Sequence, residues 1–89
     1  MRELVFTSTA FKMFEKLDKP TQKRIKEKLL RYLNQKNPLG FAKKLISSKI
    51  GTRRWKIGDY RVIFDVDEKG RVIVLLLIGH RREIYDEIN

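Results

Sequence analysis

The chain has 89 residues, no cysteine, and 21 Lys and Arg against 11 Asp and Glu, for a formal charge of +10. That length reads as one domain over residues 1–89, with a small core that buries roughly 60–65% of the unfolded surface. The composition excludes a disulfide framework and a cysteine zinc site, which suits a reducing cytoplasm. No stretch approaches the roughly 18 apolar residues of a membrane span, and Met1–Phe6 is not a signal peptide, so no membrane role is expected.

In chain order, Arg2–Thr7 reads as a short first strand. Thr7, Ser8 and Thr9 offer N-caps. Phe11, Phe14 and Leu17 then recur at helical spacing, with Ala10 and Met13 alongside, so a short helix is predicted to about Leu17. Asp18-Lys19-Pro20 marks a break and a restart, because Pro is tolerated in a first turn and Asp18 can cap it. A second helix is predicted from about Lys19 to Asn34. Its apolar stripe is Ile25, Leu29 and Leu33, widened by Leu30 and Tyr32. Its other face carries Lys23, Arg24, Lys26, Lys28 and Arg31, with Glu27 the one acid among them. Asn37-Pro38 and Gly40 stop that helix. Residues 41–50 read as a loop or a single helical turn, with Phe41, Leu45 and Ile46 inward and Lys43, Lys44 and Lys49 outward.

Three strands are predicted next, near Arg53–Ile57, Tyr60–Asp67 and Arg71–Ile78. Gly58-Asp59 is the turn between the first two. Asp67–Gly70 is a hairpin with Gly70 where a positive φ is expected. Val72–Ile78 is apolar without a break, which marks an inner strand covered on both faces. The tail from Arg81 is short and fits a helical turn. The order is β-α-α-β-β-β. It predicts a small α+β domain with two N-terminal helices on one face of a mostly antiparallel, twisted sheet, and the first strand at an edge.

Arg54 and Lys56 are two apart and share a strand face, while Trp55 and Ile57 share the other. Arg61 returns beside them after the turn, and His80, Arg81 and Arg82 follow the apolar strand at once. Scaffold strands with cations at their faces and ends suggest a polyanion site, and an excess of cations over acids this large suggests the same. Each residue also has a plainer role. Arg54 and Lys56 fit solvated strand positions, and Arg61 fits a partner for Asp65. His80 fits a strand-end histidine held by a carbonyl, and Tyr85 fits an anchor for the tail. Trp55 alternates into the core rather than toward a base.

No dinucleotide fingerprint, P-loop, zinc-protease motif or serine nucleophile elbow occurs. One His and dispersed acids do not build a metal site, so neither metal nor cofactor is expected. Arginine forks and aromatic rings together suit RNA. RNA can be cut without a metal, because its 2′-hydroxyl can attack the adjacent phosphate. The protein must then help remove that proton, stabilise growing charge on the phosphate oxygens and protonate the leaving 5′-oxygen. Arg54, Lys56, Arg61 and Arg81 are candidates for charge stabilisation, and Tyr85 and His80 for proton transfer.

Arg54-Trp55-Lys56-Ile57-Gly58-Asp59-Tyr60-Arg61, the hairpin, and then Ile78-Gly79-His80-Arg81-Arg82-Glu83-Ile84-Tyr85 closely resemble the RelE family of toxins in the RelE/ParE toxin–antitoxin superfamily. The resemblance spans essentially the whole chain and is specific at Asp59–Arg61 and His80–Tyr85. It implies a metal-independent, ribosome-dependent endoribonuclease that cuts mRNA in the ribosomal A site and is restrained by a cognate acidic antitoxin. It places the family's basic strand residues at Arg54 and Lys56, its phosphate-stabilising arginines at Arg61 and Arg81, and its tail tyrosine at Tyr85. Lys43, Lys44, Lys49, Arg53, His80 and Arg82 are expected to bind RNA around them. Arg54 stands where some members have Lys. Arg does not release its proton, so the base is left among Lys56, Tyr85 and His80. Two other outcomes stay open: a ParE-like DNA gyrase inhibitor of the same fold, and a non-catalytic nucleic-acid-binding module.

Overall fold

Thr7 ends the first strand and starts the first helix. Its extended backbone leaves strand β1 (Glu3–Phe6), and its Oγ1 accepts the Ala10 amide at 3.1 Å to cap α1 (Ser8–Glu15). The computed structural model describes residues 3–35, 43–44 and 53–88, and for 43–44 and 85–88 the backbone alone. The remaining elements are α2 (Lys19–Leu33), β2 (Lys43–Lys44), β3 (Arg53–Ile57), β4 (Tyr60–Val66), β5 (Val72–His80) and α3 (Arg81–Ile88). The predicted order holds, with β2 added as a two-residue edge strand and the tail wound into an eight-residue helix. The other predicted positions among 41–50, Lys49 included, lie outside the described residues.

The break between α1 and α2 is closed differently from expectation. Asp18 occupies the N-cap of α2 and Pro20 sits in its first turn, but the Asp18 side chain makes no capping bond. Gln22 does the tying instead. Its Nε2 donates to the carbonyls of Phe14 at 3.2 Å, Glu15 at 3.3 Å and Leu17 at 2.8 Å. The Phe14 carbonyl also accepts the Leu17 amide at 3.1 Å, so at the end of α1 a side-chain donor from the next helix adds to what the backbone supplies.

Among the described residues the sheet has five strands in the order β1-β5-β4-β3-β2. β1 runs parallel to β5 at an edge, and the other pairs are antiparallel. Ala10, Ile25, Leu29 and Tyr32 from α1 and α2 pack on one sheet face against Trp55, Ile57, Val62, Phe64, Ile73, Leu75 and Ile78. Trp55 is central, with ring centroids 4.1 Å from Phe64 and 5.1 Å from Tyr32. On the opposite face Ile63, Leu77 and Ile84 form a smaller cluster, with Met13 against it. β5 is therefore covered on both sides, as its unbroken apolar run predicts.

One irregularity organises both faces. Pairing of β4 with β5 steps from Ile63–Leu77 to Phe64–Leu75, so Leu76 is an extra residue, a β-bulge. Before it, Ile73 and Leu75 face the α1–α2 core; after it, Ile78 does, and Leu77 turns to the α3 side. The hairpin at the far end of β4 is held by Asp67. Its Oδ1 accepts the amides of Arg71 at 2.6 Å and Val72 at 2.9 Å, and Gly70 takes φ +69° as expected. The Val72 amide holds the Asp67 carboxyl below the usual carboxylate range; desolvation, the next effect in size, opposes it, and the Arg71 amide and charge add to the lowering. A lowered folded-state pKa contributes stability above the unfolded pKa, and that stability is lost as pH falls through the folded value. Asp67→Asn is expected to unfold at lower urea than the parent at pH 7. The gap should close as pH drops below about 4, measured as denaturant midpoint against pH.

Candidate nucleic-acid interface

Strand alternation and register place three cations together. Lys56 pairs with Arg61 across β3 and β4, Arg54 pairs with Ile63, and Arg61 pairs with Gly79 of β5. Register partners share a face, so Arg54, Lys56 and Arg61 lie on the side opposite α1 and α2. That face also carries Ile63 and Leu77, which α3 covers with Ile84. α3 thus shields the apolar part and leaves the cationic part beside it. Gly79 is where the two parts meet. A Cβ there would sit 3.3 Å from Glu83 Oε2 and 3.5 Å from Ile84 Cδ1, so the missing side chain lets α3 lie close to the strand.

Lys56 is exposed, whereas Arg54 and Arg61 are each only 6% exposed. Arg61 is held by the turn before it. Its Nη1 donates to the Gly58 carbonyl at 2.7 Å and to its own neighbour, the Tyr60 carbonyl, at 2.9 Å. Gly58 takes φ +60°, which the two-residue turn Gly58-Asp59 needs and an L side chain resists. Among the described residues the Nε of Arg54 and that of Arg61 are buried without a hydrogen-bond partner. The ladder adds further like-charge oppositions, since Lys43 pairs with Arg54 and Lys44 with Arg53. Like charges directly opposite destabilise a sheet. Two of these pairs, Lys56–Arg61 and Lys43–Arg54, share the cation face, and a face with that register is one that an anion stabilises.

Arg81 opens α3, exposed, with its amide donating to the Asp59 carbonyl at 2.8 Å, so it stands beside the turn that anchors Arg61. Arg82 is exposed as well, and its amide donates to His80 Nδ1 at 3.3 Å. His80 is not brought to the cation face. It pairs with Tyr60, packs edge-on to that ring at 5.7 Å, and lies on the α1–α2 side. Arg53 pairs with Phe64 and shares that side. Tyr85 falls in α3 one residue after the buried Ile84, with its backbone alone described.

Some surface features escaped the sequence reading. Phe11, expected in the helical stripe, is 51% exposed, as is Leu30. With Leu4, Phe6, Phe14 and Leu29 they line an apolar groove of about 260 Å³ between β1, α1 and α2, bordered by Lys26. A helical i, i+3 spacing finds a stripe but not which edge of it stays open. Among the described residues no helix is long and apolar enough to cross a membrane.

A two-helix hairpin on a mostly antiparallel sheet, with cations on the far face, is the architecture of the RelE/ParE toxins. Residues 4–85 match the family described as the ParE toxin of type II toxin–antitoxin systems, and the chain belongs to that family. It is a toxin of the type II toxin–antitoxin class. Solved structures agree. The toxin–antitoxin complex RelBE2 of Mycobacterium tuberculosis superposes with a TM-score of 0.77 at 28% identity, covering 90% of this chain and 98% of that one. The archaeal RelE–RelB complex of Pyrococcus horikoshii gives 0.66 at 27%, covering 90% and 94%. The isolated RelE toxin of E. coli gives 0.69 at 24%, covering 98% and 94%, a likeness of fold. No curated protein matches the chain by sequence.

The different burial of the arginines separates their structural roles. Arg61→Ala removes the donor to two turn carbonyls and is expected to cost about 1–3 kcal/mol of stability. Arg81→Ala, at an exposed helix start, is expected to stay within about 0.5 kcal/mol of the parent. Urea unfolding of the two variants measures the contrast.

Proposed function

We propose that this toxin is a ribosome-dependent endoribonuclease that cleaves mRNA in the ribosomal A site. The observation that carries the reading is the like-charge ladder, Lys56 against Arg61 and Lys43 against Arg54, on the sheet face beside α3. An RNA backbone laid there supplies the missing anions. In this reading the 2′-oxygen attacks the neighbouring phosphorus and loses its proton, the bond to the 5′-oxygen breaks, and that oxygen takes up a proton. The products are a 2′,3′-cyclic phosphate and a 5′-hydroxyl. Arg61, preset by its turn, and Arg81 stabilise the charge that grows on the phosphate oxygens. Among the described residues Lys56 is the exposed amine on this face, and once it has given up its own proton its nitrogen can take the 2′-proton. Arg54 holds its charge and binds. His80 sits on the other side of the sheet, with Nδ1 accepting an amide, which leaves protonation of the leaving oxygen to Tyr85. Lys43, in register with Arg54, together with Lys49 and Arg82 would hold RNA flanking the cut, whereas Arg53 and its register partner Lys44 are on the other side of the sheet with His80.

The chain carries no strong acid–base pair of its own, so the ribosome is assigned the task of setting the reactive geometry. Purified protein should barely cut naked RNA and should cut ribosome-engaged mRNA. In single-turnover cleavage at saturating ribosome, Arg81→Ala should slow the step on the order of a hundredfold or more, and Tyr85→Phe should slow it too. Equal cleavage of naked and engaged RNA, or an unchanged saturating rate for both variants, overturns this reading. The family match to ParE toxins favours one other outcome, a DNA gyrase inhibitor. Gyrase arrest without mRNA cleavage in the same translating extract would establish it.

The restraining partner is an acidic antitoxin. The comparison structures from M. tuberculosis and P. horikoshii are toxin–antitoxin complexes. In this chain the apolar groove at Phe11 and Leu30 has Lys26 at its border and Lys19 and Lys23 next to it. That combination suits an amphipathic segment with an apolar stripe and an acidic edge, which orders as it binds. Association should slow steeply as salt rises, because steering toward a +10 domain is screened. Phe11→Asp should weaken antitoxin binding while leaving cleavage by free toxin intact. Stopped-flow association and titration calorimetry with the cognate antitoxin test both points.

A further inference from the structure

On α2 the residues Arg24, Lys28 and Arg31 follow one another at i, i+4 and i+7 and line a shallow cleft of about 140 Å³, bordered by Glu27. At 1.5 Å rise per residue they are spaced about 6 Å and 4.5 Å along the helix axis. Like charges at these spacings repel and lower helix stability, and nothing in the α1–α2 core requires them, since Ile25, Leu29 and Tyr32 make that contact. The stripe is also tethered. Lys28 Nζ lies 5.6 Å from the centre of the Tyr32 ring. The Arg24 guanidinium lies against Gly58, with Nη2 2.9 Å from where a Cβ would stand.

Gly58 is thus touched by two arginines. Arg24 rests over its Cα side, and Arg61 bonds its carbonyl from the cation face at 2.7 Å. The helix stripe and the cation face therefore meet at one turn, Gly58-Asp59, which also carries the exposed acid Asp59. We propose that the Arg24–Lys28–Arg31 flank is a second RNA-contact surface. It grips the phosphate backbone of a structured RNA other than the strand that is cut, and so fixes how the cation face approaches its substrate. This rests on the ribosomal reading above and adds a binding surface to it.

The other flank of α2 argues for this occupant over a protein. The exposed apolar residue Leu30 and the groove with Phe11 lie on the side of Lys26, away from the stripe. Protein partners need buried apolar anchors, and the Arg24–Lys28–Arg31 flank offers none. A phosphate backbone needs only donors and charge, and rows of Arg and Lys meet it directly.

The test uses the full-length toxin and purified small ribosomal subunits without mRNA, with binding measured by fluorescence anisotropy across a salt series. The triple variant Arg24→Gln, Lys28→Gln, Arg31→Gln should bind at least tenfold more weakly at low salt. The slope of log K against log salt should fall by about 2–3. A control, Lys12→Gln, Lys69→Gln, Arg71→Gln, removes the same charge elsewhere and should lose less than threefold. Circular dichroism melts establish that both variants are folded, and Lys28→Gln alone serves if the triple variant is not. Equal losses in stripe and control variants, or parental affinity in the stripe variant, overturn the proposal while the ribosomal reading stands. Wild-type toxin with no affinity for the subunits overturns both.

Discussion

The slip of one residue at Leu76 is the constraint on which both faces of this protein depend. A strand alternates its side chains strictly, so inserting one residue on one strand exchanges the faces of everything beyond it. Upstream of the bulge, Ile73 and Leu75 fill the core under α1 and α2; downstream, Ile78 keeps that core continuous while Leu77 and Gly79 turn outward. The same slip seats Gly79 opposite Arg61 and His80 opposite Tyr60. Leu77 then needs cover on its new side, and Ile84 of α3 provides it. The helix that follows β5 is thereby drawn over the far face, and Arg81 at its start is brought to the Asp59 carbonyl.

That far face holds a conflict that packing alone does not resolve. Arg54 and Arg61 are nearly buried, and each leaves an Nε without a partner among the described residues. Buried charge is costly unless it is hydrogen-bonded and offset by an opposite charge. Arg61 meets the first requirement with two carbonyls that belong to its own hairpin, and the cation opposite it in register is Lys56. In the proposed reading, the turn carbonyls hold the Arg61 guanidinium in place for an incoming anion. Rigid donors need not reorganise when charge develops in front of them, which is the physical basis of electrostatic preorganisation.

The two flanks of α2 divide the outer surface by chemistry. One continues into an apolar groove at Phe11 and Leu30; the other is a row of cations running to Gly58. Both flanks arise from the same helical geometry. Ile25, Leu29 and Tyr32 set the direction of the core, and the positions on either side are free to carry a function because neither is needed for packing.

Much of this was legible in the sequence. The strict alternation of Arg54-Trp55-Lys56-Ile57 put Trp55 and Ile57 on the α1–α2 side, and the observed register agrees, while Arg54, which fitted a solvated position, is buried on the other face. The period of Ile25 and Leu29 determined the buried side of α2, and Gly58 and Gly70 marked turns that need a positive φ. Charge pointed to a polyanionic partner. What only the tertiary structure decided are features with no local signature. Val72–Ile78 is apolar throughout, so its pattern contains no alternation from which a bulge could be read, and the side taken by His80 followed from that bulge. Phe11 satisfied the helical spacing, yet the groove beside it remained open. Lys43–Lys44 became a strand because β3 had a free edge to pair with. Gln22 reached back to the end of α1, a bond set by how two helices meet. Periodicity reports how a segment relates to its own axis, and these outcomes depend on the position of one segment relative to another.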